Sequence, residues 1–153
     1  MVKTLPSFSG ARSTCAYYLY DDVTGEQSKV FTVNDDISDQ APGTLCAVEV
    51  ASIYVSYVAA AVAGTRALAV DILDSNDVLL QRIGASASLT SGQTKTFSFG
   101  RGLTAAAITL GSATHCHEQL PSAIRLRSGM KIRVGAVSGS NGGDNMVAVV
   151  HFL

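Results

Sequence analysis

The sequence has no tryptophan, only three prolines and three cysteines, and few charges. Each shortage excludes something. Three cysteines, Cys15, Cys46 and Cys116, are an odd number at wide spacings, so no disulfide framework is implied and a reducing compartment fits. Charged residues make up 15% of the chain, 11 Lys and Arg against 12 Asp and Glu, with no block of one sign. An electrostatic nucleic-acid binder needs a basic patch or arm, so that class is set aside. "MVKTLPSFSGARSTC" turns polar before an apolar run of signal-peptide length, and no cleaved signal is expected. No Walker loop, G-x-S-x-G elbow or N-glycosylation triplet occurs.

What is present is apolar and small: 47% of the 153 residues are hydrophobic, with much Ala, Val, Gly, Ser and Thr. That length fits one domain, and a chain of this size buries roughly 68–70% of its unfolded surface, so its core suffices without staples. The run "LCAVEVASIYVSYVAAAVA", Leu45 to Ala63, is long enough to resemble a membrane span. Glu49, two serines and the β-forming Val, Ile and Tyr point instead to a central strand buried on both faces. No membrane partner is expected.

Further along, "RALAVDILDSNDVLLQRI" is two apolar runs hinged on Asp74-Ser75-Asn76-Asp77, which predicts antiparallel strands over Arg66–Leu73 and Val78–Ile83. Gly84 to Gln93 reads as a small polar loop. "TKTFSFG" alternates as a half-buried strand. "SAIRLRSGMKIRVGAV" predicts a hairpin turning at Ser128-Gly129, and "MVAVVHFL" a closing strand after the loop Ser138 to Asn145. From Leu45 this gives seven or eight strands and no long amphipathic helix. The expected fold is all-β: an antiparallel β-sandwich or jelly roll over residues 45–153. Residues 1–44 are read as an N-terminal arm or a hairpin turning at Thr24-Gly25, or as the sandwich's first two strands.

One stretch invites a chemical reading, "GSATHCHEQLPS", Gly111 to Ser122. His115 and His117 would share one face of a strand and Cys116 the other. Zinc wants three or four ligands; only Glu118 lies near, and His151 is a distant third imidazole. The stretch is therefore expected to be a polar connecting loop. A Cys/His nucleophile pair fails because neighbours on a strand diverge. Gly100, Gly102 and Ala105 match G-x-G-x-x-G/A, but the flanking segments look like hairpins, the only helical candidate is "LTAAAITL", and a turn is expected. Asp71, Asp74 and Asp77, and Asp35, Asp36 and Asp39, lack the Gly and Glu of a calcium loop and are assigned to turns. No catalytic, cofactor or metal residue is assigned, and the chain is not expected to be an enzyme.

From Gly64 onward, "GTRALAVDILDSNDVLLQRIGASASLTSGQTKTFSFGRGL", "LPSAIRLRSGMKIRVGAVSG" and "DNMVAVVHFL" follow in order. This succession, an Asp-x-x-Asp turn, a Phe-x-x-Gly-Leu turn, a Leu-Pro…Ser-Gly segment and a closing Asp-Asn-Met strand, resembles a class of small tailed-bacteriophage virion proteins. The resemblance implies a jelly-roll capsid decoration or cement protein. It would be made in the bacterial host cytoplasm, form a homotrimer, and bind the major capsid protein on the outer face of the head. The "HCHE" segment and the tyrosine-rich start depart from that pattern, and no contact residue is carried over. Two alternatives share the fold: a tail or head fibre module binding carbohydrate or a receptor, and a cupin-like metal enzyme using His115, His117 and His151. If the histidine loop acts at all, the expected role is a polar lip at a subunit contact, where imidazoles respond to pH at about 6 to 7.

Overall fold

Alternation of apolar and polar side chains decides most of what forms. In the computed structural model, residues 17–21, 27–33, 47–121, 123–139 and 142–153 are described, and among them there is no helix. The strands are β1 (Tyr17–Asp21), β2 (Ser28–Thr32), β3 (Ala47–Val58), β4 (Arg66–Leu73), β5 (Leu79–Leu89), β6 (Thr94–Gly100), β7 (Ala106–Leu110), β8 (Ala113–Gln119), β9 (Arg125–Arg127), β10 (Lys131–Ser138) and β11 (Asn145–Phe152).

They form two sheets, one ordered β1-β11-β3-β6-β8-β7 with β9 pairing off β3, the other β2-β10-β4-β5. With β7, β8 and β9 set aside, the remaining strands nest as antiparallel pairs: β1 with β11, β2 with β10, β3 with β6, β4 with β5. Successive pairs alternate between the two sheets, so a folded ribbon has been rolled into a sandwich, which is the jelly-roll topology. The three extra strands extend the larger sheet. β8 lies parallel to β6, so this sheet is mixed, and β7 pairs antiparallel with β8. β9 lies beside Ala47–Glu49, beyond the stretch of β3 that β6 occupies.

Strand β11 shows the pattern at its plainest. Met146, Ala148, Val150 and Phe152 are buried, and the residues between them are half-buried on the outside. Its partner β3 departs from strict alternation, because the register shifts between His151–Ser52 and Phe152–Val50. That bulge at Ala51 lets Val48 and Val50 share the buried side with Ile53, Val55 and Tyr57. Beyond the bulge the other face is open, with Tyr54 and Val58 exposed, so β3 is not buried on both faces as expected. The core lies between the sheets. Phe97 and Phe99 from β6 meet Leu68, Val70 and Ile72 from β4, Ile132 and Val134 from β10, and Phe31 from β2.

Several local expectations change. Residues 84–89 are strand rather than loop, because Ile83, Ala85, Ala87 and Leu89 alternate inward along β5. "LTAAAITL" ends in strand β7. β9 and β10 are not a hairpin: the turn at Ser128–Gly129 forms, but β9 pairs with β3 and β10 with β2 and β4. Leu126 and Ile132 thereby enter the core from opposite sheets. β1 and β2 likewise sit in different sheets rather than pairing with each other. Thr24-Gly25 lies outside the described residues, as do Cys15, Cys46 and the acids Asp35, Asp36 and Asp39.

One end of the sandwich is closed by a polar knot. The Arg66 and Asp144 side chains are fully buried and paired, Nη2 to Oδ1 at 3.1 Å and Nε to Oδ2 at 3.2 Å. Asp144 also accepts from the Tyr57 hydroxyl at 2.9 Å and the Ala60 amide at 2.7 Å. Burial, and secondarily the bond to Asp144, pushes the Tyr57 phenol up. The start of β4, the end of β3 and the approach to β11 are thus fastened at one buried charge pair, whose lone pairs and protons are met as a buried pair requires. Beside it, Gly139 has φ 69° and a Cβ there would lie 1.9 Å from the Thr65 carbonyl oxygen, so only glycine fits.

Candidate assembly surface

The stretch read as a connecting loop is strand β8. Its residues alternate: Cys116 and Glu118 point into the sandwich, and His115 and His117 point outward, half-exposed. The Glu118 carboxylate accepts from the Ser86 amide at 2.8 Å and the Ser86 hydroxyl at 2.9 Å. It therefore ties edge strand β5 of the smaller sheet to β8 of the larger one. His115 Nδ1 lies 2.5 Å from the Thr96 hydroxyl on neighbouring β6. The signal was there in the alternation H-C-H-E itself, which places two groups inside and two outside.

The three imidazoles are not brought together. His151 on β11 is level with Ser52, Gly100 and Gln119, so it stands three strands from β8, about 14 Å at the usual strand spacing. Among the described residues no group of three His, Cys, Asp or Glu is arranged to hold a metal ion. Cys116 is a free, buried thiol, and burial pushes its ionisation up. It faces away from both adjacent histidines, so nucleophile and base are not paired. Arg101–Gly102 is a turn, as expected, and Gly102 has φ 69°.

The acids of the first hinge divide by role. Asp74 caps its own turn, accepting from the Asn76 and Val78 amides at 2.8 Å each. Asp77 accepts from Lys131 at 2.7 Å. Asp71 is not in a turn: it lies inside β4, nearly buried, between Arg82 on β5 and Arg133 on β10. The hydrogen bond from Arg82, reinforced by Arg133 and opposed by burial, holds its carboxyl below the usual range.

The two outer faces of the sandwich therefore differ. The smaller sheet presents the Arg82–Asp71–Arg133 row. The larger sheet presents Val147 and Val149 of β11, Ser52, Tyr54 and Ser56 of β3, Thr96 and Ser98 of β6, His115 and His117 of β8, and Ala106 and Ile108 of β7. None of these is Asp, Glu, Lys or Arg; the outward charges of this sheet, Glu49, Arg125 and Arg127, lie together at its β9 end. Tyr54 and Ile108 are 43% and 45% exposed, so apolar surface faces outward. At its edge β7 pairs only with β8 among the described strands, and Ala105–Thr109 are exposed on both faces. Such an edge, with no Pro or charge in Ala105–Leu110, offers its backbone to another chain.

No protein-family model matches the chain. No curated protein matches it either. Among solved structures, the chain is similar to a chain of the T13 IBDV viral particle, at 9% identity and TM-score 0.36, covering 97% of this chain and 35% of that one. It is also similar to a chain of the infectious bursal disease virus Gx strain, at 10% identity and TM-score 0.31, covering 99% and 42%. This chain thus spans less than half the length of either.

Proposed function

We propose that this chain is a structural component of a virus particle, and more finely a decoration or cement protein on the outer surface of a bacteriophage head. One observation carries the reading: beyond the charges at its β9 end, the larger sheet turns outward positions of β3 from Ser52 on, β6, β8 and β7 that carry no formal charge, and it ends at an edge strand exposed on both sides. An unshielded edge strand flanked by exposed apolar side chains such as Tyr54 and Ile108 is normally covered by a partner. The partners on this reading are the major capsid protein and further copies of the chain, as a homotrimer. The chain acts by contact, without catalysis or cofactor.

Jelly rolls also serve lectins and cupins. A cupin-like metal enzyme is disfavoured by the separation of His151 from His115 and His117. A carbohydrate module wants exposed aromatics, and on the described outer face only Tyr54 serves. Size-exclusion chromatography with light scattering tests the assembly reading. A trimer that dissociates when Ile108 is replaced by Lys is the expected result, and a monomer at every concentration contradicts it.

A further inference from the structure

Four arginines surround two carboxylates that lie deeper than they do. Arg82 grips Asp71 through Nε at 2.7 Å and Nη2 at 2.9 Å, and Arg133 through Nε at 3.1 Å and Nη2 at 2.6 Å. Glu49 on β3 pairs with Arg101 and, at 3.5 Å, with Arg125. Side-chain exposure is 45% and 41% for Arg82 and Arg133 against 1% for Asp71, and 35% and 70% for Arg101 and Arg125 against 25% for Glu49. Each group has two positive charges and one negative, so each presents a net positive charge to solvent on a chain whose formal charge is −1.

The two groups meet at one place. Arg82 and Arg101 line an open cleft of about 720 Å³ together with Gln81, Gln119, Leu120 and Pro121. Arg82 and Arg133 also line a second hollow of about 270 Å³. No acidic residue lines the larger cleft among the described residues. Each guanidinium has five N–H donors, and Asp71 engages two on Arg82, so further donors remain for a second acceptor.

We propose that this cleft binds a carboxylate-bearing polypeptide segment, with acid side chains received by Arg82 and Arg101 and the rest of the segment laid across Pro121. Arginine forks match carboxylates two bonds at a time, and the lining amides of Gln81 and Gln119 add donors. The pairing with Asp71 already fixes one fork, which lowers the ordering cost of a second bond. Nucleic acid fits less well, because no aromatic ring lines the cleft for a base to stack on. The inference concerns ligand chemistry and stands whether or not the particle reading holds.

A peptide with the chain's own acidic sequence, Asn34 to Gln40, "NDDISDQ", supplies a probe with three carboxylates. Fluorescence anisotropy of the labelled peptide against the whole chain is expected to show saturable binding that weakens with salt. It should fall by about tenfold or more in the Arg82→Gln, Arg101→Gln double variant. The same peptide with its aspartates replaced by asparagine should not bind. The Arg101→Gln single variant leaves the Asp71 pair intact and should already weaken binding, which separates loss of the site from loss of the fold. Absence of binding by the acidic peptide, equal binding by the double variant, or stronger binding of a single-stranded oligonucleotide that the peptide does not displace would each overturn the proposal.

Discussion

Asp144 follows six residues of Gly, Ser and Asn in the sequence, where it reads as part of a polar loop, yet it holds the most buried charge in the described structure together with Arg66. Replacing it by Ala leaves a guanidinium and a phenol buried without their acceptor, and is expected to cost about 3–5 kcal/mol in denaturant unfolding. A cost near zero would show that the knot is dispensable. Asp71 supplies a pH dependence. Its folded carboxyl is depressed, so the stability it adds is fully present above the unfolded value of about 3.9 and is lost as pH falls below it. Asp71→Asn should flatten the decline in stability below about pH 4, whereas an unchanged acid limb would assign that decline to other groups. Cys116 makes a third test at this scale. In a variant lacking Cys15 and Cys46, a thiol reagent should label the protein only after unfolding, since the remaining sulfur is buried and its ionisation is raised.

At the scale of elements, alternation made most strands legible. β6, β10 and β11 stand where period-two patterning put them, because one face is core and the other is not, and β4, buried on both sides, stands where its apolar run and the Asp74–Asp77 hinge put it. What the pattern does not carry is which sheet a strand joins. Met130, Ile132 and Val134 alternate as clearly after Gly129 as Ile124 and Leu126 do before it, yet the chain crosses between sheets at that turn. The same limit hid β8: its polar alternation resembles a loop until Cys116 and Glu118 are seen to face the core. Glu118 then gains a mechanical role that no spacing announces, because its partner Ser86 lies 32 residues away in the other sheet. Glu118→Ala should cost about 1–3 kcal/mol and speed hydrogen exchange along β5 around Ser86, while slow exchange there would deny the tie.

The described residues form an all-β jelly roll with two unlike faces: the smaller sheet bears an arginine–carboxylate row, whereas the larger sheet confines its outward charges to Glu49, Arg125 and Arg127 at its β9 end and runs from there, without formal charge across β6, β8 and β7, to an unshielded strand. The candidate site was only partly legible from sequence. The histidines were visible, but their separation from His151 depends on strand order, and the uncharged face exists only once the outward positions of β11, β3, β6, β8 and β7 are assembled. The proposed role as a particle component rests on that face being covered. Electron cryo-microscopy of virions that carry this chain tests it most directly. The expected map shows a jelly roll on the outer surface of the head with Tyr54, His117 and Ile108 against neighbouring subunits; a map with that face open to solvent, or with no density for the chain, would contradict it.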